Sequence, residues 1–373
     1  MEVALTMNDP RVPADAAMKR ERLRLWLEKR GFDGVVLSRR DQFAWITSGG
    51  DNHVLKNSEL GFGHVVVTPE KHYLVAHTMD AARILEEQVP DQGYELVSLR
   101  WFEGDPALAA RKLAGRRVAS DTVLPETVEL NCELSMLHYP MTELEIERCR
   151  WLGKQVDEVL TLVAGEVHPG QSEQEIAQWL GCEYLRRQIE LDVLIVGSDE
   201  RVFRYRHPLP TSKKIERYVL LHPAARRWGL HANVSRSVHF GQPPEEISRA
   251  YQAAATIEAR IFASLRAGVP FARILERQKE WYAELGFPDE WQNHFQGGPT
   301  GYVVVDALRN QTDTCVEENQ AFDWFITVTG AKVEELVLLT PQGVEIASHV
   351  STWPGFPIEM PEETIVVPDL MIL

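Results

Sequence analysis

Four short segments in the second half of the chain carry residue types that can move protons or bind ions. They begin at His207 (HPLPT), Gly229 (GLHANVSRSVHFG), His294 (HFQGGPTGY) and Phe322 (FDWFITVTGAKVEE). A histidine titrates near neutral pH and so suits proton transfer to a leaving nitrogen. A carboxylate on an apolar strand, as at Glu334, is costly unless it is paired or hydrogen-bonded. These segments are therefore the candidates for a functional site.

The first part of the chain predicts the elements of a compact α/β unit. Residues 18–30 have apolar side chains at helical spacing, GVVLS is typical of a buried strand, and HVVVTPEKHYLVAH is typical of a hairpin. Further helices and strands alternate up to a break near Pro140, because proline does not continue a helix. We therefore expect one domain over residues 1–138 and a second over residues 139–373.

The second part predicts helices, strands, helices and strands in longer blocks, which places the whole chain in the α/β (α+β) class. A long helix is expected from about residue 142 to 163, followed by a turn and a second helix. Ser172 with Glu175 three residues later has the pattern of a capping box at the start of that second helix. The tail from Trp353, rich in proline and acidic residues, predicts an extended arm.

In order and spacing, the four segments resemble the catalytic half of the pita-bread hydrolases, which include methionine aminopeptidase, aminopeptidase P, prolidase and creatinase. The segment FAWITSGGDNHV in turn resembles the creatinase/prolidase-like N-terminal domain of these proteins. The resemblance implies that N-terminal domain over residues 1–138 and a pita-bread domain over residues 139–373. Because this N-terminal domain contributes to the neighbouring subunit in dimeric members, the resemblance also implies a homodimer.

The metallopeptidases of this superfamily hold two divalent cations with two Asp, one His and two Glu. The positions that correspond to these ligands are His222, Asn233, Gly298, Phe325 and Glu334. Only Glu334, in GAKVEE, has the expected residue type. Hard cations need anionic oxygens, and one carboxylate cannot neutralise two divalent ions. We therefore predict no metal and no cofactor, and we expect metal-dependent peptidase activity to be absent.

One alternative to a metal-free protein is a metal site with different ligands. Asp323 lies two residues before Phe325, and residues two apart on a strand share a face, so a shift of register would turn Asp323 inward. Asp306 is the other nearby carboxylate. An Xaa-Pro-type metallopeptidase with an atypical metal site therefore stays open.

The resemblance also implies a reaction without metal. The position of His207 resembles that of a histidine which binds substrate in aminopeptidase P. In creatinase, which hydrolyses a C–N bond without metal, a histidine of this loop is the general acid/base. We therefore predict a creatinase-like enzyme acting on a C–N bond of a small zwitterionic or amide substrate. His207, His294 and Glu334 are its expected catalytic residues, with Glu334 orienting the substrate.

Several side chains around these three are expected to bind the substrate. They are His222, Asn233, Arg236, Asp323, Trp324 and Phe325. Structural roles stay open for some of them. His222 is equally compatible with a hydrogen-bonded core position, and Arg236 or Lys332 with an inert salt bridge to Glu334. A catalytically silent protein that binds a peptide or protein partner is therefore a further alternative.

Charge and hydropathy narrow the expected partners to small-molecule or peptide-like substrates. The net charge of −16 over 373 residues disfavours nucleic acids and anionic membranes. The sequence shows no apolar signal-peptide core and no apolar run of about 18 residues, the length needed to cross a bilayer. We therefore expect a cytoplasmic protein.

Overall fold

The structure of the chain is a computed structural model that describes residues 6–306, 312–349, 352–361 and 364–373. The chain divides into two compact units, Met1–Leu144 with Trp228–Leu230, and Glu145–Arg227 with His231–Leu373. Helices and strands mix in both units, which confirms the predicted fold class. The domain division after residue 138 stays a prediction from the sequence. None of the helices in the described ranges combines the length and the apolar character needed to span a membrane.

The first unit contains a mixed sheet with short helices. Its helices are α1 (Val12–Arg30), α2 (Arg40–Ile46), α3 (Thr78–Arg83), α4 (Pro106–Leu113) and α5 (Asn131–Ser135). Its strands are β1 (Gly34–Arg39), β2 (Leu60–Val67), β3 (His72–His77), β4 (Glu95–Leu99), β5 (Val118–Ser120) and β6 (Val128–Glu129). The strand order is β4-β3-β2-β1-β5-β6. The antiparallel pairing of β2 with β3 confirms the predicted hairpin.

Helix α1 begins earlier than the apolar spacing predicts. A proline in its first turn already has the backbone angle of a helix, so the helix can begin at Val12 rather than near residue 18. It ends at Gly31, which adopts the left-handed conformation (φ 69°) typical of a helix C-terminus.

The second unit contains the four candidate segments. Its helices are α6 (Glu143–Ala164, in this unit from Glu145 onward), α7 (Glu173–Arg186), α8 (Glu200–Arg204), α9 (Glu245–Ser264) and α10 (Phe271–Glu284). Its strands are β7 (Glu190–Ser198), β8 (Tyr218–Arg227), β9 (Leu230–Asn233), β10 (Arg236–His239), β11 (Gly298–Thr300), β12 (Gln320–Asp323), β13 (Ile326–Val328), β14 (Ala331–Val333), β15 (Leu336–Thr340), β16 (Gly343–Ile346), β17 (Gly355–Glu359), β18 (Thr364–Pro368) and β19 (Met371–Ile372).

Two sheets of this unit carry the candidate site. One has the order β19-β10-β8-β7, with β9 also paired to β8, and the other has the order β11-β12-β15-β16. An isolated antiparallel bridge pairs Ser235 with Glu334, and β13 pairs with β14 in a short hairpin between β12 and β15. The alanine-rich face of α9 packs against that hairpin, and Ala254, Ile257 and Ile261 are fully buried there. This core fixes the strands from which the polar side chains project.

The C-terminal tail is paired rather than extended. Strands β17 and β18 form an antiparallel hairpin in which Ile358 faces Ile365, and β19 runs parallel to β10. Ile358 and Val367 are buried in the same core as α9. The predicted extended arm is therefore wrong, because apolar residues between the prolines bury area that an isolated arm would expose.

The predicted capping box at the start of α7 is confirmed. The Ser172 hydroxyl accepts a hydrogen bond from the Glu175 backbone N–H (3.2 Å), and the Glu175 carboxylate accepts one from the Ser172 N–H (2.6 Å). Replacing Ser172 with alanine should lower the free energy of unfolding by about 1 kcal/mol, because an N–H at the helix end loses its acceptor. Urea denaturation would measure this change. Ser172→Thr is the matched control, and an equal loss in both variants would contradict the hydroxyl's role.

Candidate functional site

Two of the predicted residues, His207 and His294, contact each other although 87 positions separate them in the sequence. Their Nε2 atoms lie 3.1 Å apart, and the rings meet nearly edge to face at 5.0 Å between centroids. His207 is exposed, whereas His294 is buried. The pair therefore connects a solvent-facing imidazole with an inner one.

The hydrogen bonds of this pair define where its protons lie. His294 Nδ1 is 2.5 Å from the backbone carbonyl of Phe295, which can only accept, so Nδ1 carries a proton. In the neutral ring, His294 Nε2 is then an acceptor, and His207 Nε2 must be the donor. This leaves His207 Nδ1 unprotonated, and it has no hydrogen-bond partner within the described residues. The outer atom of the pair is therefore an unprotonated base on an exposed side chain.

Burial holds both imidazoles in the neutral form. It lowers the pKa of His294 to about 4, and the nearby Lys332 cation acts in the same direction. Burial also lowers the pKa of His207, again with a contribution from Lys332. Both histidines are consequently uncharged at neutral pH, as a general base requires.

The loop between β7 and β8, which carries His207, is shaped by the buried carboxylate of Glu173 in the first turn of α7. One Glu173 oxygen accepts from the N–H (2.8 Å) and hydroxyl (2.9 Å) of Ser198. The other accepts from the N–H (2.9 Å) and hydroxyl (2.7 Å) of Thr211 and pairs with Arg201. The loop is thus fixed on both sides of His207.

A second ion pair ties this loop to the segment before His294. Arg206 pairs with Glu290, which lies in the single helical turn Glu290–Asn293. The other Glu290 oxygen accepts from the Thr329 hydroxyl at 2.6 Å. The residue before His207 and the helical turn before His294 are thereby held together.

Gly297 allows the backbone after His294 to pass close to β12. Its φ is +85°, and an added Cβ would lie 2.5 Å from Trp324 Cα and 2.8 Å from Phe325 N. Both of these are backbone atoms that cannot move aside independently. Glycine at this position is therefore required by space as well as by conformation.

Replacing Gly297 with alanine should cost about 3 kcal/mol or more, since left-handed backbone strain and overpacking each contribute on the order of 1–3 kcal/mol. Gly268→Ala is the matched control, because Gly268 has a similar φ (+87°) but open space around its Cβ position. Thermal and urea unfolding of both variants would measure the difference. Equal losses would show that the close backbone contact contributes nothing.

The retained carboxylate, Glu334, is fully buried, and one of its two oxygens binds all of its partners. Oε2 lies 3.0 Å from His222 Nδ1, 3.1 Å from the Ser235 hydroxyl and 3.2 Å from Lys332 Nζ. Oε1 has no partner within the described residues. Glu334 therefore offers one free acceptor to a ligand.

The cation that compensates Glu334 is Lys332. Burial raises the pKa of Glu334, but its contacts with His222 and Lys332 outweigh this effect and lower the pKa to about 2. Burial lowers the pKa of His222, and Lys332 adds to the effect, so the His222 imidazole is neutral at neutral pH. A neutral imidazole supplies a hydrogen bond rather than a full charge, which leaves Lys332 as the partner that keeps Glu334 ionised.

Asp323 does point inward, and it contacts the backbone of Asn233. It is fully buried at the end of β12, opposite Gly298, and its Oδ2 accepts from the Asn233 backbone N–H at 2.9 Å. Burial and then the negative charge of Glu334 raise the pKa of the Asp323 carboxyl well above its usual value. The Asn233 amide donates to the Val304 carbonyl at 3.1 Å.

The other predicted binding residues are distributed between this site and the core. Phe325 belongs to the site, because its ring meets His294 edge-on at 5.8 Å and lies 5.4 Å from Lys332 Nζ. Trp324 is fully buried and stacks on Phe322 at 6.2 Å in the core. Arg236 is also fully buried, in ion pairs with Asp157 and Glu335. Substrate-binding roles for these residues stay predictions.

The donor set can be tested against the pair of divalent cations that the resemblance implies. Of the five corresponding positions, only His222 and Glu334 carry a side chain of the usual ligand types. Among the described residues of the second unit, no three His, Cys, Asp or Glu side chains bring ligand atoms within 4.8 Å of one another. The ammonium of Lys332 already contacts Glu334. The residues present therefore do not fit two divalent cations.

Several residues that complete the site were not among the predicted binding residues. Lys332 was expected only as an inert partner of Glu334, and Ser235, Glu173, Arg206 and Glu290 were not singled out. Ser235 and Lys332 lie within the candidate segments, so their proximity to the predicted residues was a usable signal. The pairing of Arg206 with Glu290 spans 84 positions and leaves no local pattern.

Comparison with known proteins agrees with this architecture. The family model of Metallopeptidase family M24 matches residues 147–341, just over half of the chain. An uncharacterized peptidase of Staphylococcus haemolyticus is 22% identical over 222 residues, which cover 56% of this chain and 62% of that protein. A probable dipeptidase PepE of Mycobacterium tuberculosis is 22% identical over 245 residues, covering 63% of this chain and 62% of that protein. The chain thus spans less than two thirds of the length of these curated relatives.

The fold comparison extends over nearly the whole chain. The structure of an Xaa-Pro dipeptidase from Bacillus anthracis matches with a TM-score of 0.75 at 19% identity, covering 96% of this chain and all of that one. This similarity confirms the pita-bread fold that the four segments predict. Together with the match of the family model, it leads to one conclusion: the chain belongs to metallopeptidase family M24.

Proposed function

We propose that this chain hydrolyses a C–N bond of a small peptide-like or zwitterionic substrate, with the histidine pair as general acid/base and without a divalent cation. The observation that carries the proposal is the free, solvent-facing Nδ1 of His207, backed by a neutral His294 at 3.1 Å. The names of the relatives, a peptidase and a dipeptidase, support an amide-type substrate. The donor set around Glu334 supports the absence of a divalent cation.

In the proposed reaction, His207 Nδ1 takes a proton from a water molecule that attacks the carbonyl carbon. The same proton is then delivered to the leaving nitrogen, so the products are an acid and an amine. His294 accepts the hydrogen bond that His207 Nε2–H donates, and it thereby stabilises the imidazolium that His207 becomes for a moment. The free Oε1 of Glu334 orients a cationic or N–H group of the substrate.

An Xaa-Pro-type peptidase is the second candidate, because the matching structure from Bacillus anthracis carries that activity in its name. On this alternative, Asp323 and the free oxygens of Asn233 and Glu334 would have to rearrange around a cation. A silent binding protein is the third reading. A cytoplasmic location and a homodimer also stay predictions from the sequence.

One experiment separates these functions. The purified chain is incubated with Xaa-Pro dipeptides, other dipeptides and small guanidino and amide compounds, and released amine is measured with EDTA or with added Mn²⁺. We expect turnover that EDTA does not abolish. Turnover only with Mn²⁺ would support the Xaa-Pro metallopeptidase instead. Binding without any turnover, measured by calorimetry, would support the silent protein.

A further inference from the structure

Lys332 is a nearly buried cation with unused hydrogen-bond donors. Its side chain is 4% exposed, and Glu334 Oε2 at 3.2 Å is its only polar contact within the described residues. An ammonium group carries three N–H donors, so those not directed at Glu334 can be offered to a ligand.

The position of Lys332 places these donors inside the histidine site. Its Nζ lies 5.4 Å from the ring of Phe325, which in turn meets His294 edge-on. Its charge contributes to the lowered pKa of both His207 and His294, as expected for a cation close to the two rings. The ammonium, the base and the free Oε1 of Glu334 therefore belong to one centre.

The same contact explains why the donor set does not fit the cations of the family. A divalent ion bound to Glu334 would have to lie beside an ammonium group of like charge in a nearly water-free environment. Asp323 Oδ2 accepts from the Asn233 N–H, and the carboxylate that Lys332 contacts is that of Glu334. One lysine already neutralises it.

We propose that the Lys332 ammonium replaces the divalent cations of the family as the positive group of this centre, and that it binds a carboxylate or carbonyl oxygen of the substrate. The choice of a peptide-like oxygen rests on the proposed function. Two other parts of the proposal are independent of the proposed function. These are the pairing of Lys332 with Glu334 and the exclusion of divalent cations. In a hydrolysis, the donors of Lys332 would stabilise negative charge on the carbonyl oxygen as water adds.

The test compares two variants that differ only at position 332. Glu334→Gln keeps the ammonium and removes its counter-charge, and the double variant Lys332→Met with Glu334→Gln removes both charges. Neither leaves a buried carboxylate without a cation, but Glu334→Gln leaves the ammonium without its anion, so circular dichroism and urea unfolding first establish that both variants fold. Calorimetry with N-acetylglycine, a carboxylate, and N-acetylglycinamide, its neutral analogue, measures binding to each.

We expect the Glu334→Gln variant to bind N-acetylglycine several-fold more tightly than the unmodified chain. The double variant should bind it at least tenfold more weakly than Glu334→Gln. If the affinity for N-acetylglycinamide falls in the same way when Lys332 is replaced, Lys332 binds a carbonyl oxygen. If only the affinity for N-acetylglycine falls, Lys332 binds a carboxylate. Equal binding of both compounds by the two variants would overturn the proposal.

Metal titration gives an independent readout. Elemental analysis of the unmodified chain after dialysis against Mn²⁺, Co²⁺ or Zn²⁺ should find no stoichiometric metal, and none of these ions should raise the melting temperature. Stoichiometric binding would overturn the replacement of metal by Lys332. A failure of the proposed function alone gives another result. In that case no substrate is turned over, but the affinity for N-acetylglycine still depends on Lys332.

Discussion

Replacing Arg236 with methionine is expected to lower the free energy of unfolding by about 3–5 kcal/mol, the usual cost of breaking a buried ion pair from one side. The Arg236 guanidinium lies 2.5 Å from Asp157 Oδ1 and 2.8 Å from the Ser348 carbonyl, and it pairs with Glu335. All three charged side chains are buried. The variant would leave two carboxylates in a low-dielectric interior without their cation.

The loss should depend on pH in a defined direction. Burial already raises the pKa of Glu335 to about 7, against the opposing charge of Arg236. Without Arg236, the folded-state pKa of Glu335 rises further above the unfolded value. Such groups favour the folded state below their unfolded pKa and disfavour it as pH rises through the folded pKa. The variant should therefore be closest to the unmodified chain at acidic pH.

Urea denaturation between about pH 5 and pH 8, the range in which proteins are usually most stable, would measure this effect. Arg150→Met is the matched control, because Arg150 pairs with Glu345 on the surface, where the two side chains are 46% and 40% exposed. That control should lose less than about 1 kcal/mol. Similar losses in both variants, or a deficit in Arg236→Met that grows towards acidic pH, would contradict the account.

The second large effect concerns catalysis. Replacing His207 or His294 with glutamine should reduce kcat/KM by about 10²–10⁴-fold on any substrate that the chain turns over, as expected for loss of a general acid/base or its support. Glutamine keeps hydrogen-bonding groups but cannot take up the proton. Because the two rings act as a unit, the double variant should be little slower than either single variant. Steady-state kinetics of the three variants would measure this.

The pH profile provides a further check on the same pair. Since burial lowers the pKa of His294 to about 4 and also lowers that of His207, the neutral base should persist below the ordinary histidine pKa. kcat/KM should therefore fall only as pH drops below about 6.5, the ordinary histidine value. His168→Gln, at an exposed position, is the control and should not change the profile. An acid limb at or above the ordinary value would contradict the neutral pair.

Local sequence patterns are sufficient to predict much of the fold. The capping box of Ser172 and Glu175 needs only four consecutive residues, and the hairpin of β2 and β3 needs two apolar runs around one turn. The family resemblance was equally readable, because it rests on the order and spacing of several segments. These features do not depend on contacts between distant parts of the chain.

The candidate site was only partly predictable, because its geometry arises from distant contacts. The alternation of residues along β12 could not decide whether Asp323 faces inward, since the bulky neighbours Phe322, Trp324 and Phe325 are all buried. The strands of the tail from Trp353 are not predicted for a related reason. Its apolar residues are few, and one of its strands, β19, pairs with the distant strand β10. In both cases the deciding interaction is non-local.

The carboxylate of Glu173 has a consequence for how this protein could change over evolution. The segment between Ser198 and Thr211 is attached to α7 through that side chain and through the Gln174 N–H, which donates to the Thr211 carbonyl, while Asp199 closes its base by accepting from the N–H groups of Arg217 and Tyr218. The residues in between, including His207, can therefore vary in length or sequence without shifting the pairing of β7 with β8. The outer base of the centre thus lies on a loop that is held mainly at its ends, whereas Glu334 lies between two strands and is bridged to Ser235.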